Sequence, residues 1–409
     1  MSHHLHAGVP AHWAPRAIAA GVVLLSTLGL TGCSTPPGWM VLQGQSRVSD
    51  HQHFDNASIT RAALPSPLPD LPAALQWPDD ADTSHVEAMA AANHSLALLV
   101  VRRGTLVYER YFNGHSRQAI SGSMSVAKSV VSALLGIAQA EGQIGSMDEP
   151  ITRWLPELLA NDARFAQISL RHLLLMRSGI AFNEDYRSPL SDAARFYLTE
   201  NLQAELGRLR IETPPDTAYH YKSGDTQLLA MALQRAVGLP LAQYAQSRLW
   251  QPMGAEFDAS WSLDSTAHGQ ARAFCCLNAT ARDFARLGLV FLNGGHYNGQ
   301  QIVPAAWVRD STAVQQRPGA DEATRRNLDS STGWQQMAYY AWQWRRAPQP
   351  GPAPTGQLRP PGNDFYARGL YGQFIYIAPD SQTVVVRLGS ATGAVNWPAW
   401  MGELARRNP

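Results

Sequence analysis

Lysine is almost absent from this chain, and its two exceptions are Lys128 and Lys222. The chain has 33 lysine and arginine residues in total, and all except these two are arginine. A guanidinium group stays protonated in proteins, whereas an ammonium group on a desolvated stem can lose its proton and act as a base. The scarcity therefore directs attention to two positions at which base chemistry is possible.

Cysteine is also scarce, with three in 409 residues. Cys33 ends the string LTGC, which follows Arg16 and an apolar stretch at 18–30 that is too short to span a bilayer comfortably. This string resembles the lipobox of bacterial lipoproteins, in which the cysteine becomes the lipidated first residue. We therefore expect residues 1–33 to be a lipoprotein signal peptide lipidated at Cys33, and the protein to be exported and lipid-anchored at the periplasmic face of the cell envelope. A plain secretory signal with an incidental cysteine is the alternative.

The other two cysteines, Cys275 and Cys276, are adjacent. Adjacent cysteines rarely bridge each other without strain, and neither lies in a CxxC or Cys/His spacing suited to zinc. We expect two buried, inert thiols, no metal site and no cofactor.

The chain also lacks an excess of charge of either sign. Its formal net charge is +1, which predicts no partnership with nucleic acid or with an anionic membrane surface. After residue 33 no segment is long and apolar enough to be transmembrane. Prolines concentrate between residues 34 and 83, which predicts a tether followed by an extended arm. Residues 84–409, with abundant apolar side chains, are the expected folded domain, with a small molecule as its substrate.

The remaining pattern predicts an α+β fold. Two β-rich runs flank Arg103 and Gly104 in SLALLVVRRGTLVYERYF, which is a hairpin signal, and QFIYIAPDSQTVVVRLG at 373–389 predicts two further strands. Residues 150–300 are mostly helical in pattern. Strands at both ends with helices between them predict one antiparallel sheet flanked by helices, with a mostly helical insertion.

Ser125 and Lys128 form the only SxxK string in the sequence, because Lys222 is preceded at that spacing by a tyrosine. The string opens a predicted helix that ends at Gly142. Residues three apart lie on one helix face, so the serine and the lysine can share a hydrogen bond. The helix N-terminus favours a developing alkoxide and disfavours a protonated amine. Activation of serine by an adjacent amine is an established route to a nucleophile.

A second element is the triplet of Tyr221, Lys222 and Ser223, just before another predicted helix. A tyrosine near an amine and a serine can pass a proton to a leaving group. We expect Lys222, at the variable middle position, to point to solvent or to a carboxylate rather than to take part in the reaction.

Together these strings resemble the serine β-lactamase and penicillin-recognising superfamily, and most closely its class C-like esterase and 6-aminohexanoate-dimer (nylon-oligomer) hydrolase branches. The resemblance extends over about residues 95–400 and rests on SMSVAKS, SLRHLLLMRSGIAFNEDY, YHYKSGDTQLLA, CCLNATARDFARLGLVFLNGG and GLYGQFIYIAPDSQTVVV, in the order of the family. It implies a β-lactamase/transpeptidase-like fold. It also implies an acylated nucleophile at Ser125, its base at Lys128, and a proton shuttle at Tyr221.

The resemblance implies further roles near the end of the chain. The usual basic triplet is replaced by ARGLYGQ at 367–373, which is similar to a strand of the nylon-oligomer hydrolases. By that match, the backbone amides of Ser125 and Leu370 form the oxyanion hole. Gly369 and Gly372 would let substrate approach the strand closely, and Arg368 could partly replace the missing basic group.

The resemblance also bears on substrate binding. Ser223 stands where many relatives have asparagine or serine, and Tyr186 matches a pocket tyrosine of the nylon-oligomer enzymes. Those enzymes carry an aspartate eleven residues further on, where this chain has Tyr197. We therefore expect weak hydrolysis of amino-terminated linear amides and a preference for short acyl esters or amides. Three tryptophans could form an apolar rim or be core residues: Trp334, Trp342 and Trp344.

These observations favour a serine hydrolase that cleaves small esters or amides. The sequence contains no GxSxG, no HExxH and no phosphate-binding loop. It therefore lacks the motifs typical of α/β-hydrolases, zinc metalloproteases and P-loop nucleotide-binding proteins. Two alternatives remain open. One is a β-lactamase or DD-peptidase on the same fold, and the other is a non-catalytic lipoprotein that binds cell-envelope fragments in the same cleft.

Overall fold

The computed structural model has fourteen strands and ten α-helices among its described residues, together with short 3₁₀ and π segments. It describes residues 46–66, 68–315, 328–329 (backbone only), 338–351 and 359–408. The expected signal peptide with Cys33, and Trp334, lie outside the described residues. In chain order the strands are β1 (Asn56–Ile59), β2 (Ser95–Arg102), β3 (Thr105–Tyr111), β4 (Ser121–Gly122), β5 (Ala259–Ser262), β6 (Leu277–Ala279), β7 (His296–Tyr297), β8 (Gln300–Gln301), β9 (Leu328–Asp329), β10 (Ala338–Tyr340), β11 (Arg345–Pro348), β12 (Pro361–Gly369), β13 (Gln373–Ala378) and β14 (Thr383–Gly389). The helices are α1 (Thr83–Ala92), α2 (Val126–Ala140), α3 (Leu170–Leu174), α4 (Asp192–Leu198), α5 (Leu202–Glu205), α6 (Ser223–Val237), α7 (Leu241–Ala245), α8 (Ala281–Leu292), α9 (Ala305–Thr312) and α10 (Trp397–Arg407).

The main sheet joins the two ends of the domain. Its eight strands lie in the order β3-β2-β14-β13-β12-β11-β10-β9, and every pair is antiparallel. The β2–β3 turn contains Arg103 and Gly104, both with positive φ, as a tight two-residue hairpin requires. The predicted hairpin, the two C-terminal strands and the α+β class are therefore confirmed.

Side chains alternate between the two faces of this sheet and divide the apolar core. Leu98 and Val100 of β2 face helices α1 and α10, whereas Leu99 and Val101 face the larger core formed with α2, α8 and the helical region. The sheet is thus covered by helices on both faces, which explains why its central strands are almost continuously apolar.

Helix α2 runs behind the central strands and is buried along nearly its whole length. It ends at Ala140, and Gly142 follows with a φ of +74°, which confirms the predicted stop. Buried Gln343, in the turn between β10 and β11, ties three helices together. Its carbonyl oxygen accepts a hydrogen bond from Ser129 of α2, its side-chain amide donates to the carbonyl oxygens of α3, and its Oε1 accepts from Thr226 of α6.

The described part of the proline-rich arm packs against the domain. Its strand β1 joins a second, four-stranded antiparallel sheet with the order β1-β5-β6-β4. Before that strand, the carbonyl oxygen of Val48 accepts a hydrogen bond from the N–H of Gly122, and the hydroxyl of Tyr371 donates to the carbonyl oxygen of Ser46. None of the described helices combines the length and the apolar character needed to cross a membrane.

Candidate active site

The predicted nucleophile lies at a sharp change of backbone direction. Met124, the residue before Ser125, has a φ of +46°, a left-handed conformation that is uncommon for a residue with a side chain. Ser125 then occupies the N-cap position of α2 but makes no side-chain capping hydrogen bond. Its hydroxyl is therefore available for chemistry, although serine at this position usually caps the helix.

Lys128 has three oxygen partners and is 1% exposed. Its Nζ lies 3.1 Å from Ser125 Oγ, 3.2 Å from Ser223 Oγ and 2.7 Å from the carbonyl oxygen of Phe274. An ammonium group can donate to all three oxygens. A neutral amine can donate to Ser223 and Phe274 and keep its lone pair for the proton of Ser125. The same geometry thus suits both protonation states of a general base.

Tyr221 completes the predicted triad. Its ring centroid lies 5.2 Å from Nζ of Lys128, so the predicted base and shuttle are neighbours. The ring meets Tyr340 edge-on, with centroids 5.9 Å apart. The guanidinium carbon of buried Arg345 lies 5.2 Å from the Tyr221 centroid. This packing holds the phenol ring beside Lys128.

Ser223 links the triad to a carboxylate that sequence reasoning did not identify. Its hydroxyl donates to Glu184 Oε1 at 2.6 Å, and its backbone N–H donates to Oε2 at 2.7 Å. The hydroxyl of Tyr186 donates to the same Oε1. As a whole residue Tyr186 is 51% exposed. Desolvation of that hydroxyl, together with the charge of Glu184, raises the pKa of Tyr186.

The end of β12 is pressed against the loop before the nucleophile. A Cβ atom on Gly369 would lie 2.4 Å from the carbonyl oxygen of Ser123, so only glycine permits this contact. The contact brings Leu370, the next residue, close to the start of α2. Buried Gln373 supports the turn by donating from Nε2 to the carbonyl oxygen of Leu370 at 3.2 Å. This placement suits the predicted oxyanion hole formed by the N–H groups of Ser125 and Leu370.

The sequence of this chain matches the model of a known protein family. The Beta-lactamase family model matches residues 83–397, which is well over half of the chain. This chain belongs to the beta-lactamase family. The family assignment covers both the SxxK helix and the strands that end at Gly369 and Gly389.

Two relatives of this chain are hydrolases. A 6-aminohexanoate-dimer hydrolase of Paenarthrobacter ureafaciens is 28% identical over 316 residues, which cover 74% of this chain and 72% of that protein. Esterase EstB of Burkholderia gladioli is 28% identical over 176 residues, which cover 38% of this chain and 44% of that protein. The chain is accordingly a hydrolase of the beta-lactamase family.

Solved structures support the same fold. A Bacillus anthracis protein described as a candidate 6-aminohexanoate-dimer hydrolase has a TM-score of 0.71 and 23% identity, covering 91% of this chain and 97% of that one. A class C beta-lactamase has a TM-score of 0.54 and 14% identity, covering 79% of this chain and 92% of that one. At these identities the comparison establishes the fold alone.

Within this family member, Gly372 has a reason of its own to be glycine. Its φ is +79°, and a Cβ atom there would lie 1.9 Å from a guanidinium nitrogen of Arg387. Buried Arg387 donates to the carbonyl oxygen of Gly372 at 2.7 Å. Burial lowers the pKa of Arg387 to about 9, which still leaves the guanidinium charged at neutral pH. Packing within the protein thus requires glycine at both 369 and 372, and their predicted contact with substrate stays a prediction.

The vicinal cysteines correct one expectation. Cys275 and Cys276 are buried, as expected, but they form a disulfide with each other instead of two free thiols. The expectation rested on the rule that adjacent cysteines rarely bridge each other. Here the backbone of the turn is unusual, because Cys276 has a φ of +67° in the left-handed region.

Two further expectations concern aromatic residues. Trp342 and Trp344 are core residues, 5% and 0% exposed, so they do not form a rim around the cleft. Tyr197 does have an acidic neighbour, which comes from the arm. Its hydroxyl donates to Oδ2 of Asp50 at 2.9 Å. Asp50 is 2% exposed, and burial raises its pKa.

Lys222 differs from Lys128 in its surroundings. It is 1% exposed, and its Nζ lies 3.7 Å from Oδ2 of Asp225, which is fully buried. Oδ1 of Asp225 accepts a hydrogen bond from Ser178 at 2.7 Å. The expected carboxylate partner is therefore present, while the alternative of a solvent-facing lysine is wrong.

The pH dependence of stability should report on this buried pair. Burial raises the pKa of Asp225 to about 6, although Lys222 opposes the shift. The stabilising effect of protonating Asp225 is therefore fully present below the ordinary aspartate pKa and is lost as the pH rises through about 6. As the pH rises from the ordinary aspartate pKa to above about 6, the wild type should lose up to about 3 kcal/mol of unfolding free energy relative to Asp225→Asn. Urea unfolding of both proteins at several pH values measures this, and a constant difference would contradict it.

No group of three or more His, Cys, Asp or Glu side chains suited to a metal ion occurs among the described residues. The site residues that sequence reasoning missed are Glu184, Phe274 through its carbonyl oxygen, Arg345, Gln373 and Arg387. Glu184 lies within one of the strings that carried the family resemblance, but nothing local marks it as a partner of Ser223.

Proposed function

We propose that this protein is a serine hydrolase that cleaves small esters or amides through an acyl-enzyme on Ser125. The observation that carries the proposal is the 3.1 Å separation between Ser125 Oγ and Nζ of a lysine that is buried and has two further oxygen partners. A buried amine held against a serine hydroxyl is an arrangement that activates a nucleophile.

The proposed reaction has two stages, acylation of Ser125 and hydrolysis of the acyl-enzyme. Lys128 takes the proton from Ser125 Oγ, which attacks the substrate carbonyl carbon. The N–H groups of Ser125 and Leu370 stabilise the resulting oxyanion. Tyr221 gives its hydroxyl proton to the leaving group and recovers one from Lys128, so that the proton taken from Ser125 leaves with that group and the acyl-enzyme remains. A water molecule then attacks the ester carbonyl, with the same residues moving its proton, and releases the acid and Ser125.

For the substrate class, we infer a preference for short, uncharged acyl groups. A relative that is a 6-aminohexanoate-dimer hydrolase and another that is an esterase support amide and ester bonds as candidates. Asp50, the acidic neighbour of Tyr197, does not offer a free charge to an ammonium group. Its Oδ2 already accepts hydrogen bonds from Tyr197 and from the N–H of Arg47, and its Oδ1 is enclosed. Burial also raises its pKa, which disfavours the anion.

Labelling with a fluorophosphonate probe tests the nucleophile, followed by a substrate panel on the same preparations. Wild type should form a covalent adduct on the peptide that contains Ser125, and Ser125→Ala should form none. Among p-nitrophenyl butyrate, a linear 6-aminohexanoate amide and a chromogenic cephalosporin, the ester should be hydrolysed fastest.

Each arm has an outcome that contradicts it. Labelling that survives Ser125→Ala, or an unlabelled wild type, would refute the nucleophile. Fast cephalosporin turnover would favour the β-lactamase alternative. An active-site serine that reacts with no member of the panel would favour the binding lipoprotein.

A further inference from the structure

The turn that carries Cys275 and Cys276 contacts both halves of the nucleophile–base pair. On one side of the cysteines, the carbonyl oxygen of Phe274 accepts the shortest of the three hydrogen bonds of Lys128, at 2.7 Å. On the other side, the carbonyl oxygen of Leu277 accepts from the N–H of Ser123 at 2.8 Å. Ser123 lies two residues before the nucleophile. A shift in this turn would therefore move an orienting group of the base and a support of the nucleophile loop together.

The turn has an unusual backbone that needs to be held. Cys276 adopts a left-handed φ of +67°, which is uncommon for a residue with a side chain. The two carbonyl oxygens of the cysteines are used as well. That of Cys275 accepts from Trp261 Nε1 at 3.0 Å, and that of Cys276 accepts from the N–H of Ser262 at 2.9 Å. The disulfide closes a small covalent ring through the peptide between the cysteines and so restricts the backbone torsions of this turn.

We propose that the Cys275–Cys276 disulfide is a positioning element for Lys128. By restricting the turn, it keeps the carbonyl oxygen of Phe274 where it binds one N–H of the lysine amine. With that N–H and the one directed at Ser223 engaged, the lone pair of a neutral amine points to Ser125. Neither cysteine touches substrate in this role, and the proposal rests on the proposed function of Lys128 as the base.

The disulfide is suited to this role because it is shielded. The two cysteines are 5% and 6% exposed, so the cross-link is packed into the core beside the lysine and is not available as a surface redox group.

The experiment compares kcat and KM for p-nitrophenyl butyrate in three forms of the full chain: wild type, Cys275→Ser/Cys276→Ser and Cys276→Gly. Intact mass before and after reduction in denaturant tests for the bond in the wild type. The two variants that lack the bond should lose about tenfold in kcat, the factor that one net hydrogen bond represents, with KM unchanged.

Cys276→Gly separates the cross-link from the shape of the turn, because glycine adopts a positive φ without strain. If Cys276→Gly keeps wild-type kcat, or if the wild type contains two free thiols, the proposal is overturned. Thermal unfolding measured in parallel corrects kcat for the folded fraction. A variant that is less stable but has unchanged kcat per folded molecule also refutes the proposal, since it assigns the disulfide a purely structural role.

Failure of this proposal is distinguishable from failure of the proposed function. If the cysteine variants keep full kcat while Lys128→Met does not, only the role of the disulfide is wrong. If Lys128→Met keeps full kcat, the base assignment and everything built on it are wrong.

Discussion

Replacing Lys128 with methionine is expected to lower the rate at which Ser125 is acylated by about 10²–10⁴-fold, the range that a general base contributes. Methionine fills a similar buried volume but can neither accept the proton of Ser125 nor donate to Ser223 and the carbonyl oxygen of Phe274. Lys128→Arg should not restore the rate, because a guanidinium group does not give up its proton. The rate of fluorophosphonate labelling and the single-turnover hydrolysis of p-nitrophenyl butyrate measure the effect.

The chain supplies its own matched control, since Lys222 is its only other lysine and is equally buried. In Lys222→Met the acylation rate should stay within about threefold of wild type, because Lys222 contacts Asp225 and not the reacting atoms. Lys222→Met should instead lower the free energy of unfolding, because Asp225 loses its buried partner. If both variants lose the same fraction of activity, the assignment of chemistry to Lys128 alone is wrong.

Gly369→Ala is expected to lower kcat by about 10²–10³-fold, which corresponds to the loss of one oxyanion-hole donor. The added methyl carbon would lie 2.4 Å from the carbonyl oxygen of Ser123 and 3.0 Å from Cβ of Met124. Both distances are shorter than ordinary van der Waals contacts. Because both neighbours belong to the nucleophile loop, β12 must move away from it. The N–H of Leu370 would then no longer converge with that of Ser125 on one oxyanion.

Gly207→Ala is a suitable comparison for this substitution. A Cβ atom on Gly207 would meet no heavy atom within 4 Å, so the same change of residue should leave kcat and stability close to those of the wild type. Kinetics and circular dichroism of both variants separate a local displacement from misfolding. A folded Gly369→Ala protein with wild-type kcat would rule out Leu370 as an oxyanion donor.

Features that depend on neighbours in the chain could be predicted from the sequence. The hairpin at Arg103 and Gly104 follows from turn chemistry, and the start and stop of α2 follow from Ser125 and Gly142. The contact of Ser125 with Lys128 follows from their spacing on one helix face. These interactions are local, so helix and turn geometry suffices to infer them.

Partners that come from distant parts of the chain could not be inferred in this way. The contact of Lys128 with the carbonyl oxygen of Phe274 joins residues 146 apart, and that of Asp50 with Tyr197 joins residues 147 apart. The disulfide was missed for a related reason. Its left-handed residue, Cys276, is held by surroundings that include Ser262 and Trp261.

From the sequence alone one obtains the class of fold, the family resemblance, and a serine with an amine one helical turn away. Only the tertiary structure shows that Lys128 faces the hydroxyl of Ser125, whereas Lys222 faces the buried carboxylate of Asp225. It also decided that Gly369 is needed for contact with the nucleophile loop. The physical reason is that periodicity and spacing are properties of short segments, whereas burial and convergence arise only when all segments pack together.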